Sequence, residues 1–393
     1  MKRVLVVDDE SRVVDAMHRT LRSERRWWSV TTATTGDDAV ALLDVEPFDA
    51  IVTDMLMPGM DGAELLTIAR ERRPETLRIV LSGHTDRELA LRALPVAHQF
   101  RSKPCNGAEL KSTIGRGLMF HDLVVDPSLR RAVGHVAALP TPAHTADALV
   151  ALLDAPRPTT DAIAAALVED VAATAKLLQI VNSSFFGLPG GGRADVRTAV
   201  RYLGVEALRA IFFGEGLLVR ADGPGLDAAT LTRVARRSLL VATLARELVS
   251  DPAMTHAAFA AGLMLDVGRL VVAAELPDAL DEAAGTDDDE VRGATLNQIG
   301  ASLLAMWGLP QPIVEAVARQ HMAPLIAGGD EIPVIEITDA VFLADALVTR
   351  FDGDGPLPHA ADDPLDTFGL AERADDLEAL AARTAASIDR RVA

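Results

Sequence analysis

Three aspartates stand where short apolar runs end: Asp8 and Asp9 follow Val4 to Val7, and Asp54 follows Ala50 to Thr53. In an open parallel sheet the carboxyl ends of the strands face one crevice, so these three carboxylates are expected to converge. Two like charges at ~4 Å repel by about 4 kcal/mol at an effective dielectric of about 20, which makes such a cluster sustainable mainly around a bound cation. Oxygen-only donors point to a hard ion, Mg²⁺. A hydroxyl, Ser82, closes the run Arg78 to Leu81, and an ammonium, Lys103, followed by Pro104, comes just after Gln99 to Arg101. Acids, hydroxyl and lysine on one rim suit phosphoryl transfer, which needs a divalent ion and donors around the oxygens that carry charge. Asp54 is the best-placed nucleophile, and a carboxylate attacking phosphorus gives an acyl phosphate.

The elements that must position these groups are legible as a rhythm. Over residues 1–120, short β-branched runs (Val4 to Val7, Ser29 to Ala33, Ala50 to Thr53, Arg78 to Leu81, Gln99 to Arg101) alternate with helical patterns. That is the pattern of a doubly wound α/β domain with a five-stranded parallel sheet. From about Leu139 the strand signal disappears, and an all-α domain is expected. Ile163, Leu167, Val171 and Leu178 fall on one stripe of a helix capped by Thr160 with Asp161 in its first turn, and Val196, Val200, Leu203, Ala207 and Ile211 repeat the device. The segment Glu109 to Leu139 is expected to carry the last helix of the first domain into the second. The division is then a domain at 1–120, a helical linker at 121–138, a helical domain at 139–350, and a tail at 351–393 whose helical pattern returns from Glu372 to Ile388. Gly187 to Gly192 and the acidic run Asp281 to Glu290 read as surface connections.

A chain of 393 residues has room for two or three domains. Its 49% hydrophobic and 24% charged residues describe a soluble globular protein rather than a disordered polyelectrolyte. A net charge of −19 repels phosphate backbones, so no nucleic-acid partner is expected. With Cys105 as the one cysteine, an intrachain disulfide and a thiolate metal cage are excluded. Val4 to Val7 is too short for a signal peptide and no apolar window reaches membrane-spanning length, so a cytoplasmic location without membrane contact is expected. The glycine loop lacks the Gly-Lys-Ser/Thr of a phosphate cradle. Trp27, Trp28 and Trp307 read as core or interface aromatics, and Arg19, Arg22, Arg25 and Arg26 as a solvated or docking face.

The first part resembles the receiver domain of two-component response regulators, with the CheY-like, flavodoxin-like fold. The resemblance rests on Val-Val-Asp-Asp at 6–9, Thr-Asp-Met-Leu-Met-Pro-Gly-Met-Asp-Gly at 53–62, Leu-Ser-Gly at 81–83, and Phe100 with Lys103-Pro104. It implies that Asp54 accepts phosphate from a histidine kinase or phosphotransfer protein. It also implies that Asp8, Asp9 and Asp54 hold Mg²⁺ with the Leu56 carbonyl, that Ser82 and Lys103 grip the phosphoryl group, and that Ser82 and Phe100 switch between two states. Leu56 and His84 occupy positions that influence the attacking water; Leu56 has no polar group to orient it, so slow self-dephosphorylation is expected.

Residues 139–350 resemble an HDOD domain, related to the HD metal-dependent phosphohydrolases. The matching pieces are Asn182 to Pro189, Ala199 to Gly204, Ala261 to Gly268, and Trp307-Gly308-Leu309-Pro310. A working HD hydrolase holds metal with several histidines and aspartates. Here Leu265 replaces the histidine of the His-Asp pair, Arg237 precedes Ser238 where a histidine is expected, and Leu296 stands near Gly300. Asp266, Asp345 and His321 survive as a degenerate HD site. The expectation is a phosphorylated signalling protein, not an enzyme, whose helical domain binds a downstream protein; a second copy of the chain is a further candidate partner. The alternative is a cyclic-dinucleotide or nucleotide phosphohydrolase using His256, Asp266, His321 and Asp345.

Overall fold

The structure, a computed structural model, describes residues 1–21, 27–83, 87–183, 195–214, 216–221, 228–280, 290–320, 334–352, 365 and 368–392. The runs that read as strands are strands: β1 (Lys2–Val7), β2 (Trp28–Ala33), β3 (Ala50–Asp54), β4 (Leu77–Ser82) and β5 (Gln99–Ser102). All pair in parallel, in the order β2-β1-β3-β4-β5. Val4, Leu5, Val6, Ala50, Ile51, Val52, Ile79 and Val80 are fully buried because helices cover both faces. These helices are α1 (Ser11–Leu21), α2 (Gly36–Val45), α3 (Gly62–Arg72), α4 (Arg87–Ala93) and α5 (Gly107–Gly117). Side-chain caps fix where three of them start: Thr35 for α2, Asp61 in a reciprocal box with Glu64 for α3, and Asn106 for α5.

The connection to the helical half is not one continuous helix. Helix α5 stops at Gly117, and a separate helix, α6 (Pro127–His135), starts where Asp126 caps it and Pro127 fits the first turn. The expected single helix through Ile163 and Leu178 is likewise two, α7 (Ala143–Asp154) being followed by α8 (Thr160–Val168) and α9 (Val171–Asn182). Thr159, not Thr160, caps α8, and Asp170 restarts the chain by capping α9. Beyond these, α10 (Val196–Arg209) carries a break at Gly204, whose φ is 76°. It is followed by α11 (Ala228–Leu248), α12 (Thr255–Leu263), α13 (Val267–Glu275), α14 (Leu296–Met306), α15 (Gln311–Ala318), α16 (Ile337–Asp352) and α17 (Ala374–Val392). The last helix buries Leu377, Ala381, Ala385 and Ile388 at helical spacing. The half is mostly helical, with two short ladders that the pattern did not announce, Pro140–Thr141 with Val219–Arg220 and Glu290–Val291 with Ala294–Thr295.

By length and composition, Pro252–Glu275 would be apolar enough to span a bilayer, contrary to the expectation that no window reaches that length. Its apolar character has another use: it comprises α12 and α13 joined by a turn, and 72% of its apolar 18-residue window is buried inside the protein. Gly268 explains part of this packing, since a Cβ there would lie 1.7 Å from the Leu296 carbonyl oxygen where α13 crosses α14. Trp307 is buried and Trp28 packs on the core, but Trp27 is 67% exposed and is not a core residue. Gly187 to Gly192, Arg22, Arg25, Arg26 and all of Asp281 to Glu290 except its last residue lie outside the described residues.

Candidate functional site

The three aspartates meet. One carboxylate oxygen from each of Asp8, Asp9 and Asp54 lies within 4.8 Å of the other two, and among the described residues this is the one such group of three acidic, histidine or cysteine ligands. Asp8 and Asp54 are buried and Asp9 is exposed, so the cluster opens to solvent on one side. The parallel register creates it: Val7 pairs with Thr53, which sends Asp8 and Asp54 off neighbouring strand ends.

Lys103 Nζ bridges the cluster, 2.6 Å from Asp54 Oδ1 and 2.8 Å from Asp8 Oδ2. Its backbone N–H donates to the Ser82 carbonyl at 2.8 Å, and Ser82 pairs with Ser102, so the ends of β4 and β5 are tied beside the acids. Burial raises the Asp54 pKa, and the Lys103 ammonium partly offsets that. Burial alone would depress Lys103, but its hydrogen bonds to Asp54 and Asp8 outweigh it and hold the ammonium above its ordinary range. The loop after Asp54 folds back closely: Gly62 N–H donates to Met55 O at 2.9 Å, and a Cβ at Gly62 would sit 2.2 Å from Asp54 O. Phe100 on β5 is 1% exposed, while Leu56 points outward at 51%. His84 lies outside the described residues.

In the helical half, Arg237 joins the two surviving aspartates. Its Nη1 donates to Asp266 Oδ2 at 3.1 Å and its Nη2 to Asp345 Oδ1, while Gln320 Nε2 donates to Asp345 Oδ2 at 2.8 Å. Asp345 is buried. Asp266 sits at the start of α13 without making a capping bond, so its role is the ion pair. His256 is not gathered into this group; it is largely exposed, with its Nδ1 3.9 Å from Asp195. His321 lies outside the described residues.

Comparison with known families agrees with both halves. Residues 4–115 match the response regulator receiver domain and 139–323 match the HDOD domain. The chain joins a receiver domain to an HDOD domain. The hydrogenase transcriptional regulatory protein HoxA of Cupriavidus necator is 52% identical over 85 residues, covering 22% of this chain and 17% of that protein. The transcriptional regulatory protein TcrA of Mycobacterium tuberculosis is 34% identical over 143 residues, covering 33% of this chain and 55% of that one. The chain thus spans about half or less of these curated relatives' length. Among solved structures, the MmoQ response regulator from Methylococcus capsulatus is 23% identical and covers 61% of this chain and 98% of its own, with a TM-score of 0.46. The receiver half is that of a two-component response regulator.

Sequence reasoning missed a set of buried polar residues between the two halves. Arg78, inside β4, is 1% exposed and donates to the carbonyls of Val96 (2.6 Å), Pro74 (2.7 Å) and Gly134 (2.7 Å). The Arg78 backbone N–H donates to His98 Nδ1 at 3.0 Å, His98 Nε2 lies 2.9 Å from Arg78 Nη2, and burial followed by the neighbouring guanidinium hold His98 well below the usual imidazole range. Lys176 and Gln179, on α9, reach across to the receiver. The available signal was α9 itself: eleven consecutive residues from Val171 to Val181 are buried, so a lysine and a glutamine within them had to find partners.

Proposed function

We propose that this chain accepts a phosphoryl group on Asp54 from a histidine kinase or phosphotransfer protein, and that its HDOD domain acts as a binding module rather than a hydrolase. The observation that carries the reading is the convergence of Asp8, Asp9 and Asp54 with the Lys103 ammonium between two of them. Asp54 Oδ forms a bond to phosphorus as the bond from phosphorus to the donor's imidazole nitrogen breaks, giving an acyl phosphate. Lys103 can turn from Asp54 to the new phosphoryl oxygens while keeping Asp8, and Ser82 is at the adjoining strand end. The donor set, three carboxylates, fits a hard cation, so Asp8, Asp9 and Asp54 with the Leu56 carbonyl would hold Mg²⁺. When bound, the ion neutralises charge on the phosphoryl oxygens.

For the HDOD domain the supporting observation is Arg237. Its guanidinium occupies both surviving aspartates, filling with a side-chain cation the role a hydrolase gives to metal, and it repels a second cation. The domain division 1–120, 121–138, 139–350 and 351–393 belongs to the same proposal. Two assays test it. Acetyl phosphate with Mg²⁺ is expected to add one phosphoryl group to the wild type and none to Asp54→Asn, which stays folded because it loses one of three clustered charges; equal labelling of both contradicts the reading. Cyclic dinucleotides with Mn²⁺ are expected not to turn over. Hydrolysis that Asp266→Ala abolishes would establish the phosphohydrolase alternative instead.

A further inference from the structure

The loop that follows Asp54 is held unevenly along its length. Met55 is fixed from two sides: its N–H donates to Leu81 O at 2.9 Å, and its carbonyl accepts from Gly62 N–H at 2.9 Å. At the other end Asp61 caps α3 in the reciprocal box with Glu64. Between these anchors, among the described residues, Leu56 to Met60 make no backbone hydrogen bond. The polar contact inside this stretch comes from β3 itself. Thr53 Oγ1 donates to Asp54 O at 3.0 Å and lies 3.9 Å from Met57 Sδ, so one hydroxyl faces both the carbonyl that leads into the loop and the sulfur in its middle.

Thr53 is fully buried and Met57 is buried, whereas Leu56 is 51% exposed. The rest of β3 before Asp54 is Ala50, Ile51 and Val52, so a valine would suit position 53 on burial alone. A buried hydroxyl costs free energy unless it is used, and here its use is the loop. The Leu56 carbonyl shares a rigid peptide plane with the Met57 nitrogen, so whatever anchors Met57 also aims that carbonyl. Met55 secures the residue on the other side.

We infer that Thr53 is a positioning residue for the cation site: its hydroxyl, through Asp54 O and Met57, sets the direction of the Leu56 carbonyl and thereby the affinity for Mg²⁺. This rests on the reading of Asp8, Asp9 and Asp54, with that carbonyl, as the phosphoacceptor site. The effect falls on ion binding rather than on transfer, because the Asp54 carboxylate is held separately, by Lys103 Nζ at 2.6 Å. Residues that orient the ligands of a metal change its affinity by about 10- to 100-fold when altered, and one neutral carbonyl beside three carboxylates belongs at the lower end of that range.

The test is Mn²⁺ binding to the full chain with no phosphoryl donor present, read from the free-ion EPR signal, with Mg²⁺ as competitor. Thr53→Val keeps the volume and removes the hydroxyl, Thr53→Ser keeps the hydroxyl, and Met57→Leu keeps the apolar bulk and removes the sulfur. Thr53→Val is expected to weaken binding of both ions about tenfold and Met57→Leu about threefold, with Thr53→Ser within about twofold of wild type. With acetyl phosphate, the Mg²⁺ concentration for half-maximal phosphorylation rises about tenfold in Thr53→Val, while the rate at saturating Mg²⁺ stays within about twofold. A merely structural hydroxyl would lower the melting temperature and leave both ion affinities where they were. Wild-type affinity in Thr53→Val or in Met57→Leu, or the same loss in the valine and serine variants, overturns the positioning role and leaves the phosphoacceptor reading intact. A wild type that binds neither ion overturns the acidic cluster as a cation site, and the role of Thr53 with it.

Discussion

Lys176 gives the account its most quantitative handle. It lies fully inside the protein between α9 and the receiver, and burial pushes its pKa down from 10.5 to about 7, with Arg70 adding a smaller repulsion. In the unfolded chain the ammonium stays protonated up to about pH 10, so between pH 7 and 10 the unfolded state binds more protons than the folded one. Stability therefore rises with pH in that window. At pH 7 about half of the folded molecules carry the proton and at pH 9 about one in a hundred, so the single group adds about 2 kcal/mol between these two values. The perturbation is Lys176→Met, which keeps the length and the contact with Trp307 but cannot titrate. Urea unfolding of wild type and variant at pH 7 and pH 9 isolates the term, because all other titrating groups are shared. The wild type should gain about 2 kcal/mol more than the variant on going to pH 9. Equal gains would refute the reasoning, since they would mean that Lys176 keeps its proton in the folded protein across this range.

Three further outcomes follow from single contacts. Arg78→Met should destabilise the protein by about 3–5 kcal/mol in denaturant titration, because the carbonyls of Val96, Pro74 and Gly134 lose a buried donor; a change below about 1 kcal/mol would place those carbonyls in contact with water. Asp345→Ala should cost about 2–4 kcal/mol by leaving Arg237 and Gln320 short of a buried acceptor, with no chemistry lost; a stable variant would disconnect the pair from the fold. Gly62→Ala forces a Cβ against the Asp54 carbonyl and should slow phosphorylation by acetyl phosphate more than tenfold, unlike the exposed control Val45→Ala.

The receiver was legible because its chemistry is written at the ends of strands. Asp8, Asp9, Asp54 and Ser82 each follow an apolar run, and buried parallel strands are short, apolar and bounded, so the run and its terminal residue come out together; Lys103 follows the polar strand Gln99–Ser102 and is marked by Pro104 instead. Helices in the second half were harder to delimit. Ile163 to Leu178 keeps its apolar spacing across Glu169 and Asp170, and only the capping capacity of Asp170 separates α8 from α9. The contact between the halves was illegible for a different reason. Arg78, His98, Gln99, Lys176 and Gln179 read as ordinary polar residues near strand ends or on a helix, and Arg78, Gln99, Lys176 and Gln179 donate to backbone carbonyls contributed from distant positions, which no local spacing encodes.

The central claim is that Asp54 is the residue that takes the phosphoryl group. Its most direct test is to phosphorylate the full chain with a phosphorylated histidine kinase domain and Mg²⁺, reduce it with borohydride, and map the peptides by mass spectrometry. An acyl phosphate is reduced to an alcohol, so the account predicts homoserine at position 54 and unmodified aspartate at 8 and 9. Homoserine at Asp8 or Asp9, or a phosphoryl group retained on another residue with Asp54 unchanged, would contradict it.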